Sequence, residues 1–156
     1  MRLLTALGLA LALSACGASK PANSAAATAA QSYMSANAKL PGVVTLPSSL
    51  QYKIVTSGPA GGAHPRLSDE AKVHYEGKLV SGQVFDSSFE RGVPADFPLD
   101  GLVQGWVEAL QLMRPGDEWI LYVPPSLGYG DEDKGPIPAN SVLIFRIQLL
   151  GVLKHP

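Results

Sequence analysis

The sequence predicts an α+β domain, a curled antiparallel β-sheet wrapped around one short α-helix, behind an export segment and a flexible, partly helical tether. Three observations carry this expectation. Several short segments alternate apolar and polar residues, as half-buried strands do. A single stretch, Trp106, Ala109, Leu110 and Met113, repeats at the i, i+3, i+4, i+7 spacing of one helical face. Sixteen Gly and thirteen Pro in 156 residues supply frequent turns without the bias of a low-complexity chain.

The chain opens with Met1-Arg2 and an apolar run from Leu3 to Leu13, long enough for a signal-peptide core and too short to span a bilayer. The run closes on Leu13-Ser14-Ala15-Cys16, which resembles a bacterial lipobox. That resemblance implies a lipoprotein signal over residues 1–15 and a mature chain that begins at acylated Cys16. Durable anchoring takes more than one acyl chain, which the lipoprotein pathway supplies. Gly17, where an Asp would signal inner-membrane retention, points to the outer membrane, facing the periplasm or the cell surface. The alternative is an ordinary secretory signal cut near Ala18, with Cys16 incidental.

Residues 16–48 turn to Ala, Ser, Thr and Asn and read as a tether, because they carry little apolar surface to offset the entropy of ordering. Within them, Ser24 to Lys39 has the Ala content of a helix, with Ser24 as N-cap and Pro41-Gly42 as a stop. Tyr33, Met34 and Leu40 could form a small apolar patch on it. Against that stands a frayed helix with no partner, the ordinary state of an isolated helix this short.

The folded domain is expected over residues 49–156. Leu50 to Val55 reads as a strand, and Gly58 to Pro65 breaks regular structure. Ala71 to Val80 follows as a strand with Val73 and Tyr75 on one face and His74 and Glu76 on the other, His74 toward solvent. Ser81-Gly82 is read as a two-residue turn into Gln83 to Asp86. Arg114-Pro115-Gly116 ends the helix, since Pro lacks an amide donor and disfavours helix at its predecessor. Glu118 to Val123 and Ser141 to Val152 complete the strands, the last buried at its start and amphipathic later.

Composition excludes several chemistries. Twelve Lys and Arg against thirteen Asp and Glu leave a net charge of -1 and no basic stripe for nucleic-acid phosphates. A single Cys permits no internal disulfide, thiolate zinc cage or Cys-x-x-Cys pair. His64, His74 and His155 lack metal-ligand spacing, and Asp131-Glu132-Asp133 lacks the alternating ligands of a calcium loop and reads as a solvated rim. No metal site is expected.

The later chain carries a specific set of motifs in order: Val73-His74-Tyr75-Glu76-Gly77, Val84-Phe85-Asp86-Ser87-Ser88, Gly105-Trp106-Val107-Glu108-Ala109-Leu110, Tyr129-Gly130, Ile137-Pro138 and Leu143-Ile144-Phe145. Over Leu50 to Val152 this set resembles the FKBP-type peptidyl-prolyl cis-trans isomerases. Asn37-Ala38-Lys39-Leu40-Pro41-Gly42-Val43 and Phe97-Pro98-Leu99-Asp100-Gly101 are similar to the bacterial macrophage-infectivity-potentiator and FkpA-like subgroup.

The resemblance implies a pocket of Tyr75, Phe85, Leu102, Val103, Trp106 and Phe145, with Trp106 as floor beneath a prolyl ring. It also implies Tyr129 as a hydroxyl donor to a ligand carbonyl, the Ile137 backbone amide as a second donor, and Asp86 as a polar wall residue bonded to Tyr75. By that likeness the partners are X-Pro segments of exported proteins, macrolide inhibitors of the family, and the membrane through the N-terminal lipid; no cofactor is implied. Ala95 stands where the family often has an aromatic, which makes the pocket more open on that side and inhibitor affinity a separate question. The subgroup's long helical dimerisation domain has no counterpart here beyond the short Ala-rich stretch, so the oligomeric state stays open. Residue chemistry agrees with isomerisation: no bond need break, and an apolar pocket favours the less charge-separated twisted amide. The competing reading is a proline-segment-binding holdase or adaptor with little turnover.

Overall fold

The computed structural model describes residues 21–154; the expected signal segment, Cys16 and the first residues of the tether lie outside them. Among the described residues, seven strands form one antiparallel sheet. In chain order these are β1 (Val43–Thr45), β2 (Gln51–Thr56), β3 (Glu70–Leu79), β4 (Val84–Ser87), β5 (Ala95–Pro98), β6 (Glu118–Val123) and β7 (Leu143–Leu153). They lie side by side as β1-β2-β6-β7-β3-β4, and β5 also pairs with β3. Three α-helices accompany them among the described residues: α1 (Pro21–Asn37), the single turn α2 (Ser88–Arg91) and α3 (Gln104–Leu112).

Alternation produces the sheet's two faces. Ala71, Val73 and Tyr75 of β3, Trp119, Leu121 and Val123 of β6, and Leu143, Phe145, Ile147 and Leu149 of β7 all turn inward and are buried. Register shifts at Ile54/Thr56, Lys72/Val73 and Gly77/Lys78 are bulges of the kind that bend strands. The curled concave face receives α3 through Trp106, Ala109 and Leu110, with Met113 just beyond its end. Gly105 allows the close approach: a Cβ there would stand 2.7 Å from a methyl of Val123.

Several elements differ from the sequence expectation. The β3–β4 turn closes between Leu79 and Gln83, making a three-residue loop of Val80, Ser81 and Gly82 rather than a two-residue one. Gly82, at φ 90, takes the left-handed last position that such a loop requires. The chain from 43 to 45, expected in the tether, pairs with β2 as an edge strand whose half-exposed residues carry little burial signal.

Helix α1 also has a partner. Ala30 and Met34 pack against Val142, with Tyr33 and Tyr122 beside them, whereas Leu40 is exposed. The buried Asn37 side chain donates to Gln51 Oε1 (2.8 Å), and Gln51 Nε2 donates to the Met34 carbonyl (2.8 Å). This pair pins the end of the helix to the start of β2 through the amide groups of both side chains.

The outer edge of β3 is shared. β5 covers Glu70 to Val73 and β4 covers Glu76 to Lys78, leaving His74 and Tyr75 between them. The fully buried Ser88 fills the gap: its Oγ accepts the Tyr75 N–H (2.7 Å) and lies 3.2 Å from the Tyr75 carbonyl. His74 Nδ1, 2.9 Å from the same oxygen, and stacking on Phe89 hold the His74 ring partly buried rather than free in solvent. Replacing Ser88 with Ala leaves a buried main-chain donor without its acceptor, at a cost of about 1–3 kcal/mol. Denaturant titration should show a lower midpoint at unchanged slope, and an unaltered midpoint would contradict this role.

Candidate active site

Strand β3 brings Tyr75 to the concave face, β4 adds Phe85 and Asp86, α3 adds Trp106 at its first turn, and β7 adds Phe145. The loop before α3 contributes Leu102 and Val103, and the long loop before β7 contributes Tyr129 and Ile137. All nine pocket residues expected from the sequence therefore line one cavity of about 350 Å³, within the range of small-ligand sites. Phe97 and Gly101, which the sequence reading did not assign to the pocket, complete it. A larger cleft of about 560 Å³ lies under α1, but it has no aromatic lining.

The walls are built edge to face. Trp106 meets Tyr75 at 5.3 Å, Phe145 at 5.1 Å and Phe97 at 6.0 Å between ring centroids, each nearly perpendicular. Phe85 meets Phe145 the same way at 5.7 Å. Trp106 is only 4% exposed and forms the floor, while Tyr129 at 39% stands at the mouth, so the rings are not sealed in the interior. Ala95 packs on the core beside Val73 and does not line the cavity; Phe97, two residues along the same face of β5, forms that wall. The spacing Ala95-Asp96-Phe97 held the strand signal for it, hidden by β5's short length.

One charged residue lines the cup, and it is neutralised in place. Asp86 Oδ2 accepts from the Tyr75 hydroxyl, and Asp86 Oδ1 pairs with Arg91 Nη1. Arg91 Nη2 also donates to the Tyr75 oxygen at 3.1 Å. Partial burial works against ionisation of Asp86, but the hydrogen bonds from Tyr75 and Arg91 and the nearby guanidinium outweigh it and hold the carboxyl below its ordinary range. Burial pushes the Tyr75 phenol up, and donation to Asp86 adds to this, so it stays protonated. Arg91 was not singled out from sequence; it arrives because Ser87 caps α2 through the Glu90 N–H (3.2 Å) and Ser88 ties the turn to β3.

Donors at the rim differ from expectation. The Ile137 N–H is already given to the Lys134 carbonyl (3.0 Å), across the turn at Gly135-Pro136, so it is not the spare donor that the sequence suggested. Among the described residues, the Val103 N–H has no hydrogen-bond partner, because Val103 is the N-cap of α3 and its amide precedes the helical ladder. The acidic stretch is partly engaged: Glu132 pairs with Lys134 at 2.7 Å, and Asp133 accepts the Ala139 N–H at 2.8 Å.

Gly77 sets the cup's shape. A Cβ there would lie 2.6 Å from the Phe85 ring and 2.7 Å from the Phe145 ring. Gly77→Ala is therefore expected to displace both rings and abolish binding of an apolar proline-sized ligand. Titration followed by Trp106 fluorescence would test this, and native affinity in the variant would refute it.

Comparison with known proteins places these features in context. Residues 61–150 match the family described as FKBP-type peptidyl-prolyl cis-trans isomerase, and residues 12–54 match the domain amino terminal to it. The peptidyl-prolyl cis-trans isomerase Mip of Coxiella burnetii is 48% identical over 125 residues, 80% of this chain and 54% of its own. The outer membrane protein MIP of Legionella longbeachae is 48% identical over 123 residues, 78% of this chain and 52% of its own. The crystal structure of FkpA from Escherichia coli superposes with a TM-score of 0.81 at 37% identity, covering 86% of this chain and 62% of that one. The chain spans about half the length of the curated relatives it matches.

Proposed function

Because the chain belongs to the FKBP-type peptidyl-prolyl cis-trans isomerase family, we propose that it accelerates rotation about X-Pro bonds of exported proteins at the cell envelope. The observation that carries the reading is the open aromatic cup with Trp106 as its floor.

The chemistry follows from the walls. Rotation about an X-Pro amide faces a barrier of roughly 18–20 kcal/mol, because conjugation between nitrogen and carbonyl must be broken. The twisted amide has less charge separation than the planar one. A dry aromatic cup therefore binds it better than the ground state, and every 1.36 kcal/mol of that difference is about tenfold in rate. The prolyl ring sits on Trp106 between Tyr75, Phe85, Phe97 and Phe145. The Tyr129 hydroxyl and the Val103 amide hold carbonyls of the bound segment; Leu102 and the Ile137 side chain supply apolar contact. Asp86 acts by charge and position. Both of its oxygens are engaged, so it is suited to fixing the Tyr75 wall rather than to removing a proton.

Cys16 is proposed to carry the lipid anchor, on the strength of Leu13-Ser14-Ala15-Cys16 and of a relative named as an outer membrane protein. Mass spectrometry of the membrane-extracted protein should give an acylated Cys16 as first residue. A free amino terminus downstream, with the protein in the soluble fraction, would reject it.

A protease-coupled proline-peptide assay tests the activity. Trp106→Ala and Phe145→Ala should each lower kcat/KM about ten- to a hundredfold, equivalent to about 1.4–2.7 kcal/mol. Equal rates with and without the wild-type protein, while it still suppressed aggregation of an unfolded client, would favour the holdase instead.

The pH profile has a fixed sign. Asp86 has a lowered folded-state pKa, so its ionised contribution is complete above the ordinary carboxylate value near ~4 and is lost as pH falls through the lower folded value. Activity should be level through neutral pH. A decline beginning near pH 6 would contradict the assignment.

A further inference from the structure

Resting on the isomerase reading, we infer that α1 braces the rim of the cup, with Asn23 and Asn140 as positioning residues for Tyr129. The loop between β6 and β7 closes on itself: Asn140 N–H donates to the Gly130 carbonyl (2.7 Å), and Gly130 N–H donates to the Pro125 carbonyl (2.9 Å). Its two ends thus meet one residue from Tyr129. Inside the loop, Lys134 and Ile137 exchange both backbone bonds (2.9 and 3.0 Å), and Asp133 accepts from Ala139. A segment tied this way moves as one body on its base.

That base is held from outside. Asn140 sits in the left-handed region at φ 57, and its side-chain amide donates to Asn23 Oδ1 in the first turns of α1. Two residues on, Val142 is buried under Ala30 and Met34 of the same helix. The far end of α1 is fixed by the Asn37–Gln51 pair and its middle by Ala30 and Met34, so the helix reaches the loop from a support held independently of Asn23. Tyr129 needs such support. Among the described residues its hydroxyl has no hydrogen-bond partner, and the residue is 39% exposed, so the backbone beneath it is the tether that limits where the hydroxyl can reach. Small displacements of a positioned group cost rate or affinity out of proportion to their size.

Two variants weaken the tie without straining the chain. Asn140→Gly removes the amide that reaches both Asn23 Oδ1 and the Asn23 carbonyl (3.4 Å) and keeps the left-handed backbone, and Asn23→Ala removes the Oδ1 acceptor while raising helix propensity. Each should raise KM for a proline peptide about three- to tenfold with kcat changed less than twofold, because a hydroxyl that holds a carbonyl equally throughout contributes uniform binding. The double variant should be no worse than either single. In a Tyr129→Phe background neither substitution should have a further effect, whereas general loosening would add to it. Amide hydrogen exchange at Ile137 and Ala139 should quicken in both variants, with the melting temperature held within about 2 °C by the remaining α1 contacts. Wild-type kinetics and exchange in both variants, or effects that add to Tyr129→Phe, would overturn the brace. A wild-type protein without turnover would overturn the isomerase reading alone, and the exchange measurement would still decide the brace.

Discussion

The edge-on packing of Trp106 against Tyr75, Phe97 and Phe145 joins the helix to the sheet and the core to the cup. Perpendicular aromatic pairs contribute about 0.5–1.5 kcal/mol each beyond their buried area, and each pair covers a face of only one of its two rings. A stacked arrangement would cover a face of both. Here one layer of side chains closes the interior on its inner side and offers an apolar surface on its outer side. The two glycines make this geometry accessible: Gly105 lets α3 seat deeply against Val123, and Gly77 leaves room for Phe85 and Phe145 to meet.

A cup of this kind works only if charge near it is kept from drawing in water. Asp86 is the charged residue in its lining, and it is satisfied on both oxygens by Tyr75 and Arg91. Its exposure limits what the ion pair adds to stability, since partly solvated pairs are screened. Its value is positional. The phenol that donates to Asp86 belongs to the ring that packs on Trp106, so fixing the carboxylate fixes a wall.

Much of this was legible in the sequence, for physical reasons that differ by element. β3, β6 and β7 are long enough for alternation to show, and α3 declares itself through the spacing of Trp106, Ala109, Leu110 and Met113. The nine pocket residues were readable through motif resemblance; no periodicity distinguishes a pocket wall from a core wall. What escaped has short range or distant partners. β1 and β5 have three and four residues, and α2 is a single turn, too brief for any period. The docking of α1 rests on Asn37 finding Gln51 and Met34 finding Val142, pairings that composition cannot reveal. The engagement of the Ile137 amide is not legible either, because it depends on the turn that follows Lys134 and not on residue type.

The interrupted edge of β3 explains why the site lies where it does. A continuous strand beside β3 would satisfy the Tyr75 backbone by an ordinary ladder and leave no room for a helical turn. Because β4 and β5 stop short of each other, a side chain must do that work, and Ser88 does it with a single buried hydroxyl. The same turn that delivers Ser88 also projects Arg91, three residues later, toward Asp86 and the Tyr75 oxygen. The gap in the sheet, the serine that seals it and the arginine that steadies the carboxylate are thus one local solution. Extending β5 by two residues toward β4 would close the edge and remove the means of holding Tyr75 in the wall of the cup.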